Sequence, residues 1–146
     1  MSKQVVSYNS QETPDERKNV CSYFASAAIA EGEAVFWDTS KTGAEKVCWV
    51  KPVLAEEKSY CGIAISSAQE GESCMVMHTG YLANAIVYNT SGGQPFAVGQ
   101  PLVVDDTHDG ALTGITSAHG RDHQRSAVAL TVVTNNRAEV WLFPTY

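Results

Sequence analysis

The chain has 146 residues, 10 basic and 16 acidic, for a net charge of −6. That length suits one domain that buries roughly two-thirds of its unfolded surface. The acidic balance and the lack of any basic run beyond two residues exclude the phosphate-neutralising stripe that nucleic-acid binding needs. Charged residues make up 18% of the chain, below the usual share of about 25%, which argues against disorder and against a solvated helical bundle.

Residues 1 to about 18 are polar and lack periodicity, which predicts an extended N-terminal arm. "QVVSY" within it has strand character, through Val5, Val6 and Tyr8. There is no hydrophobic signal core, and no apolar run approaches the roughly 20 residues of a membrane span. The expectation is a soluble product made in the cytoplasm, with no membrane partner.

"VCSYFASAAIAEG" admits two readings. Its alanines favour a helix, whereas Val20, Ser22 and Phe24 alternate with Cys21, Tyr23 and Ala25 as on a strand. The strand is the expectation adopted. Short apolar runs follow: "AVFWD", "EKVCWVKP", "SYCGIAISS", "ESCMVMH", "YLANAIVYN", "PLVVD", "ALTGI", "SAVALTVV" and "AEVWLF". Gly-, Asn- and Asp-rich turns separate them. About ten short strands at this spacing predict a single all-β domain, a barrel or a sandwich, over residues 19–146.

The chain also repeats itself weakly. An offset of 67 sets "EGEAVFWDTSKTG" on "VGQPLVVDDTHDG", so that Gly32 meets Gly99, Asp38 meets Asp105 and Gly43 meets Gly110. An offset of 65 sets "GIAISS" on "AVALTV", "SCMVM" on "AEVWL", and Tyr81 on Tyr146. This predicts a pseudo-symmetric β structure of two related halves.

Cys21, Cys48, Cys61 and Cys74 form no C-x-x-C pair, and each lies in an apolar context. Free buried thiols are expected. "DDTHDG" fits the front of a calcium loop through Asp105, Thr107, Asp109 and Gly110. However, Thr116 stands where a bidentate glutamate is required. A hairpin loop explains the same residues, with Asp accepting local N–H groups and Gly supplying a positive φ. His119 and His123 in "HGRDH" lie in a polar run without the glutamate of H-E-x-x-H. Together with His108 and Asp109 they form the one enzyme or small-molecule-binding alternative, a surface metal site. There is no nucleophile elbow, P-loop or dinucleotide fingerprint, and "HTGY" offers His78 no orienting acid. Neither catalytic residues nor a cofactor is expected. Trp37, Trp49 and Trp141 sit in apolar strands, as core residues or as interface anchors.

The chain order is a polar arm, "SAAIAEGEAVFWDTS", "YCGIAISSAQEGESCMVMHTGYL", "GQPLVVDDTHDGALTG", then "SAVALTVV" and a closing "AEVWLF". This order resembles the small capsid decoration, or cement, proteins of tailed bacteriophages, over residues 20 to 143. The resemblance implies a β-barrel or β-tulip head with an extended arm. It also implies symmetric oligomers, commonly homotrimers, on the outer capsid surface, with the major capsid protein as partner. On that reading Val5, Val6 and Tyr8 are arm contacts with the capsid, and Trp141, Phe143 and Tyr146 anchor the subunit interface. Another virion part, such as a head-fibre base or tail-tube component, is the neighbouring alternative. The cysteines and "HGRDH" are not features of that family.

Overall fold

In a computed structural model, residues 18–52, 59–89, 97–105, 108–114 and 126–143 are described. The arm residues Val5, Val6 and Tyr8 lie outside them. Nine strands follow: β1 Asn19–Ala25, β2 Ala34–Trp37, β3 Trp49–Lys51, β4 Tyr60–Ala64, β5 Ser73–Tyr88, β6 Pro101–Val104, β7 Leu112–Gly114, β8 Ala127–Ala129 and β9 Arg137–Leu142.

The fold is all-β, and its pairing closes twice. β1, β3, β2, β4 and the first half of β5 form one five-stranded ring, sealed where β1 pairs antiparallel with β5. The second half of β5, with β7, β6, β8 and β9, forms a second ring, sealed where β5 pairs with β9. The strand β5 therefore belongs to both. Each ring contains one parallel pair, β1 with β3 and β5 with β7, at the same place in the circuit.

The two halves agree register for register. Val35 pairs with Gly62 as Leu102 pairs with Ala127, and Ala34 with Ile63 as Pro101 with Val128. Trp37 pairs with Val50 as Val104 pairs with Leu112. The repeat predicted from sequence is thus a repeat of strand pairing, although few residues are identical.

Three sequence expectations need correction. The first is the final strand. Ala64 faces Val76 and Ala129 faces Val140, so the equivalence runs at an offset of 64 rather than 65. The first half turns through Gln69–Glu72. The second uses a two-residue hairpin in which Asn135 and Asn136 have φ of 53° and 59°, the backbone of a type I′ turn. One residue fewer there slides the strand by one, and a one-residue slip exchanges the faces. Buried Cys74 and Val76 therefore match buried Ala138 and Val140.

The second correction concerns "EKVCWVKP". Only Trp49–Lys51 is strand, because Gly43–Val47 forms a five-residue 3-10 turn. That turn is an insertion relative to the second half, and it places Cys48, not Gly43, at the position of Gly110. Third, "ESCMVMH" and "YLANAIVYN" are one 16-residue strand. Gly80 does not break it. A Cβ there would lie 2.8 Å from Lys18 Cβ, so glycine admits the chain crossing behind it.

Two clusters fill the rings. Ala25, Val35, Val50, Cys61, Ala64, Cys74 and Val76 occupy the first. The second ring's interior holds Val87, Leu102, Leu112, Ala129, Ala138, Val140 and Leu142. These residues form one continuous core with Ala34, Phe36, Tyr60, Ile63 and Met77 from the outside of the first ring. That explains why "YCGIA" is buried at every residue: one of its faces looks into its own ring and the other into its neighbour.

Candidate interaction surface

Three turns share one design. Glu33 Oε1 accepts the Ala30 N–H at 2.6 Å, Glu72 Oε1 that of Gln69 at 2.7 Å, and the Gln100 side-chain oxygen that of Ala97 at 3.1 Å. The preceding glycines, Gly32, Gly71 and Gly99, have φ of 94°, 88° and 90°, a region costly for any residue with a Cβ. Gly32 N–H also bonds Ala64 O at 2.8 Å, as Gly99 N–H bonds Ala129 O at 2.7 Å.

Two of these turns are equivalent in the repeat but differ in what covers them. The first inserts into the second ring: Ile86 N–H donates to Gly32 O at 2.9 Å, and Ala34 N–H to Gly110 O at 2.8 Å. The Arg137 guanidinium reaches over it to Glu31 O at 2.8 Å and Asn84 O at 3.0 Å. A Cβ on Gly32 would collide with both Arg137 and the Asn84 carbonyl. On Gly99 it would meet nothing within 4 Å among the described residues, and the adjoining Val98 is 59% exposed.

The first ring shows the reciprocal difference. Its matching seam closes directly, by Phe24 N–H to Cys48 O at 2.9 Å. Outside that seam lies a groove of about 230 Å³ lined by Ser22, Tyr23, Phe24, Val47, Cys48 and Ser73. Phe24 and Val47 are half exposed, at 50% and 52%. Phe24 rests on Trp49, ring centroids 5.2 Å apart, and Lys41 Nζ caps Trp49 at 4.4 Å from its centroid.

The acidic hairpin loops are built as local structure. Asp38 is buried and its Oδ1 accepts Ser40 Oγ–H at 2.6 Å and Ser40 N–H at 3.1 Å, with Lys51 Nζ at 3.5 Å. These contacts, led by the Ser40 hydroxyl, hold its carboxyl down at about 2. Asp105, its equivalent, is also buried, and its Oδ2 lies 2.9 Å from His108 Nδ1. The His108 ring stacks on Tyr88 at 3.8 Å and 9°. Asp109 is exposed beside it. His119, His123 and Thr107 lie outside the described residues. Among the described residues no three His, Cys, Asp or Glu side chains are placed to hold a metal ion.

A second polar cluster lies in the first ring. His78 Nδ1 is 2.8 Å from Cys61 O, and Tyr23 OH is 2.7 Å from His78 Nε2. A carbonyl only accepts, so Nδ1 carries the hydrogen donated to Cys61 O, and Nε2 is left to the Tyr23 hydroxyl. Burial raises the Tyr23 phenol above its ordinary range. It also pushes the Cys61 thiol up to about 12 and raises that of Cys74.

The cysteines are all free, but only Cys61 and Cys74 are buried. Cys21 and Cys48 are exposed, against expectation. Cys21 neighbours apolar residues in sequence, yet it lies in the largely exposed part of β1, and Cys48 follows the inserted 3-10 turn. Trp141 and Phe143 are partly buried at the end of β9, and Trp141 faces Tyr81 and Val128 across the sheet. Tyr146 lies outside the described residues. Sequence reading did not single out Phe24, Val47 or Val98 as surface residues. All three are apolar residues in apolar runs, and only the comparison of equivalent positions marks them.

No protein-family model matches the chain. No curated protein matches it either. The fold defines a class nonetheless, all-β proteins of two tandem five-stranded rings. Within the solved structures the chain is similar to the head fiber gp8.5 N base in bacteriophage phi29. The TM-score is 0.51 at 11% identity, covering 86% of this chain and 94% of that one. At that identity the likeness is one of fold.

Proposed function

We propose that this chain is a structural virion protein that decorates and stabilises the outer surface of an icosahedral phage head. The observation that carries this is the fold, shared along almost the whole length with a protein of a phage head fiber base. The residue order that resembles capsid decoration proteins points the same way.

The mechanism is mechanical. A homotrimer presents three arms, each with Val5, Val6 and Tyr8 available to add a short strand to a major capsid protein sheet. Three modest contacts made together bind far more tightly than one, because the second and third form at high effective concentration. Binding only the expanded shell shifts the equilibrium toward that shell by mass action.

Co-sedimentation with empty expanded capsids tests this. The full chain is expected to bind, and a chain lacking residues 1–17 to bind at least roughly tenfold more weakly. Equal binding by both removes the arm's role, and no binding by either overturns the proposal. The phi29 likeness favours a second reading, that the rings form the base of a head fibre. Electron microscopy of whole particles separates the two, since a fibre base carries a shaft and a decoration protein does not.

A further inference from the structure

Among the described residues, one turn-and-groove contact is made and its equivalent is not. The turn Ala30–Glu33 of the first ring is seated on the second ring, against Asn84, Ile86, Gly110 and Arg137. Its equivalent, Ala97–Gln100, has the same backbone, the same glycine geometry and the same side-chain lock. Among the described residues, nothing covers its outer side at Gly99, and Val98 is exposed. The seat itself is also duplicated. By the pairing registers, Phe24 stands where Ile86 stands, Cys48 where Gly110 stands and Ser73 where Arg137 stands. That second seat is the groove beside Phe24 and Val47, and no described segment fills it.

We propose that the turn Ala97–Gln100 of one copy docks in the groove formed by Ser22, Phe24, Val47, Cys48 and Ser73 of a second copy. The inference rests on the reading that the chain self-assembles, and it specifies the contact. Each copy has one turn and one groove, so the contact is head-to-tail, and such contacts either close into a ring or run on as a filament. In a homotrimer, three copies would make a circle of six alternating five-stranded rings. The chemistry fits: Val98 brings an apolar side chain to Phe24 and Val47, and the Ser22–Ser73 hydroxyl pair, 2.7 Å apart, keeps one O–H for the turn's outer backbone. The seat differs from the internal one in its side chains, with Ser73 in place of Arg137 and Cys48 in place of Gly110, and in its backbone. The first-ring seam is closed by the Phe24–Cys48 hydrogen bond, so the turn lies over the seam instead of entering it.

The native Cys48 supplies the test. In full-length protein carrying Cys21→Ser and Val98→Cys, mild oxidation is expected to give disulfide-linked oligomers that dissociate on reduction. A Glu70→Cys control in place of Val98→Cys should stay largely unlinked. Sedimentation equilibrium supplies the second arm. Phe24→Asp and Val98→Asp should each raise the apparent dissociation constant at least tenfold, and Val98→Asp, which removes no ring contact, controls for any loss of the Phe24–Trp49 packing. Phe24→Asp combined with Val98→Lys should restore much of the association. Self-association untouched by either Asp variant overturns the contact and leaves the oligomer reading standing. A wild-type chain that stays monomeric at every concentration overturns both, while capsid co-sedimentation still judges the virion role. A disulfide confined to single chains overturns it as well. So does a cross-link that forms only after residues 1–17 are removed, since the arm would then be the groove's occupant.

Discussion

His108 and Tyr88 lie face to face, ring centroids 3.8 Å apart and 9° from parallel. The stack joins the acidic hairpin loop to the end of β5. With the 2.9 Å approach of His108 Nδ1 to buried Asp105, it replaces the Ser40 and Lys51 contacts that hold Asp38 in the first half. His108→Ala removes the stack and one contact of the Asp105 carboxylate together. It should cost about 1–2 kcal/mol in urea unfolding without changing metal content. A loss of stoichiometric metal in that variant would instead revive the metal-loop reading.

Asp38 makes stability fall in acid. Its surroundings hold the carboxyl down at about 2 in the folded chain, below the ordinary 3.8. A depressed carboxylate stabilises above its unfolded pKa, and that contribution fades as pH drops through the folded one. The window is therefore about pH 4 to 2, and the contribution is at most about 2 kcal/mol. Unfolding free energies measured across this range should fall less steeply in Asp38→Asn than in wild type. Ser40→Ala should recover part of that flattening, because the Ser40 hydroxyl is the leading cause.

The four thiols should divide evenly. Cys21 and Cys48 are exposed, whereas Cys61 and Cys74 are buried with raised thiol pKa values. The thiolate is the reactive form. Titration of the monomer with an aromatic disulfide reagent should show two prompt equivalents and two more only on denaturation. Four prompt equivalents would mean that the first ring opens readily.

Gly32 and Gly99 should answer differently to the same substitution. Both have φ near +90°, so alanine strains either backbone by about 1 kcal/mol or more. Only at Gly32 does the new Cβ also strike Arg137 and Asn84. In monomeric protein Gly32→Ala should be the more destabilising by about 1–3 kcal/mol. Equal effects would contradict the close seating of the first turn.

Tyr60 tests the seam between the rings. Its ring packs edge-on to Phe36, centroids 6.0 Å apart, and its hydroxyl is buried without a hydrogen-bond partner among the described residues. Tyr60→Phe should leave stability unchanged or raise it by up to about 1 kcal/mol. By contrast, Phe36→Ala should cost about 3–5 kcal/mol. Chemical denaturation of both variants checks the pair.

Strand content was legible because period-2 alternation is a local property. "RAEVWL" alternates partly buried with buried side chains as its pattern implies. The repeat was legible as an order of turns and strands, and its registers through β2 and β4 are those that the 67 and 65 offsets imply. The last strand was not. Sequence comparison slid it by one because a hairpin one residue shorter leaves hydrophobicity almost unchanged while reversing which face is buried. "HTG" read as a break for a related reason: glycine marks turns and close backbone approaches alike.

The sequence by itself determined an all-β chain of two related halves, with Asp–Gly hairpin loops explained by local hydrogen bonds and no motif of catalysis. These features depend on residues near one another along the chain. Only the tertiary structure decided that β5 serves both rings, that the outside of the first ring is the second ring's core, and that Gly32 is covered while Gly99 is not. Those distinctions arise from contacts between segments far apart in sequence. Equivalent residues in a repeat have the same local preferences, so nothing but the fold can say which copy meets a neighbour.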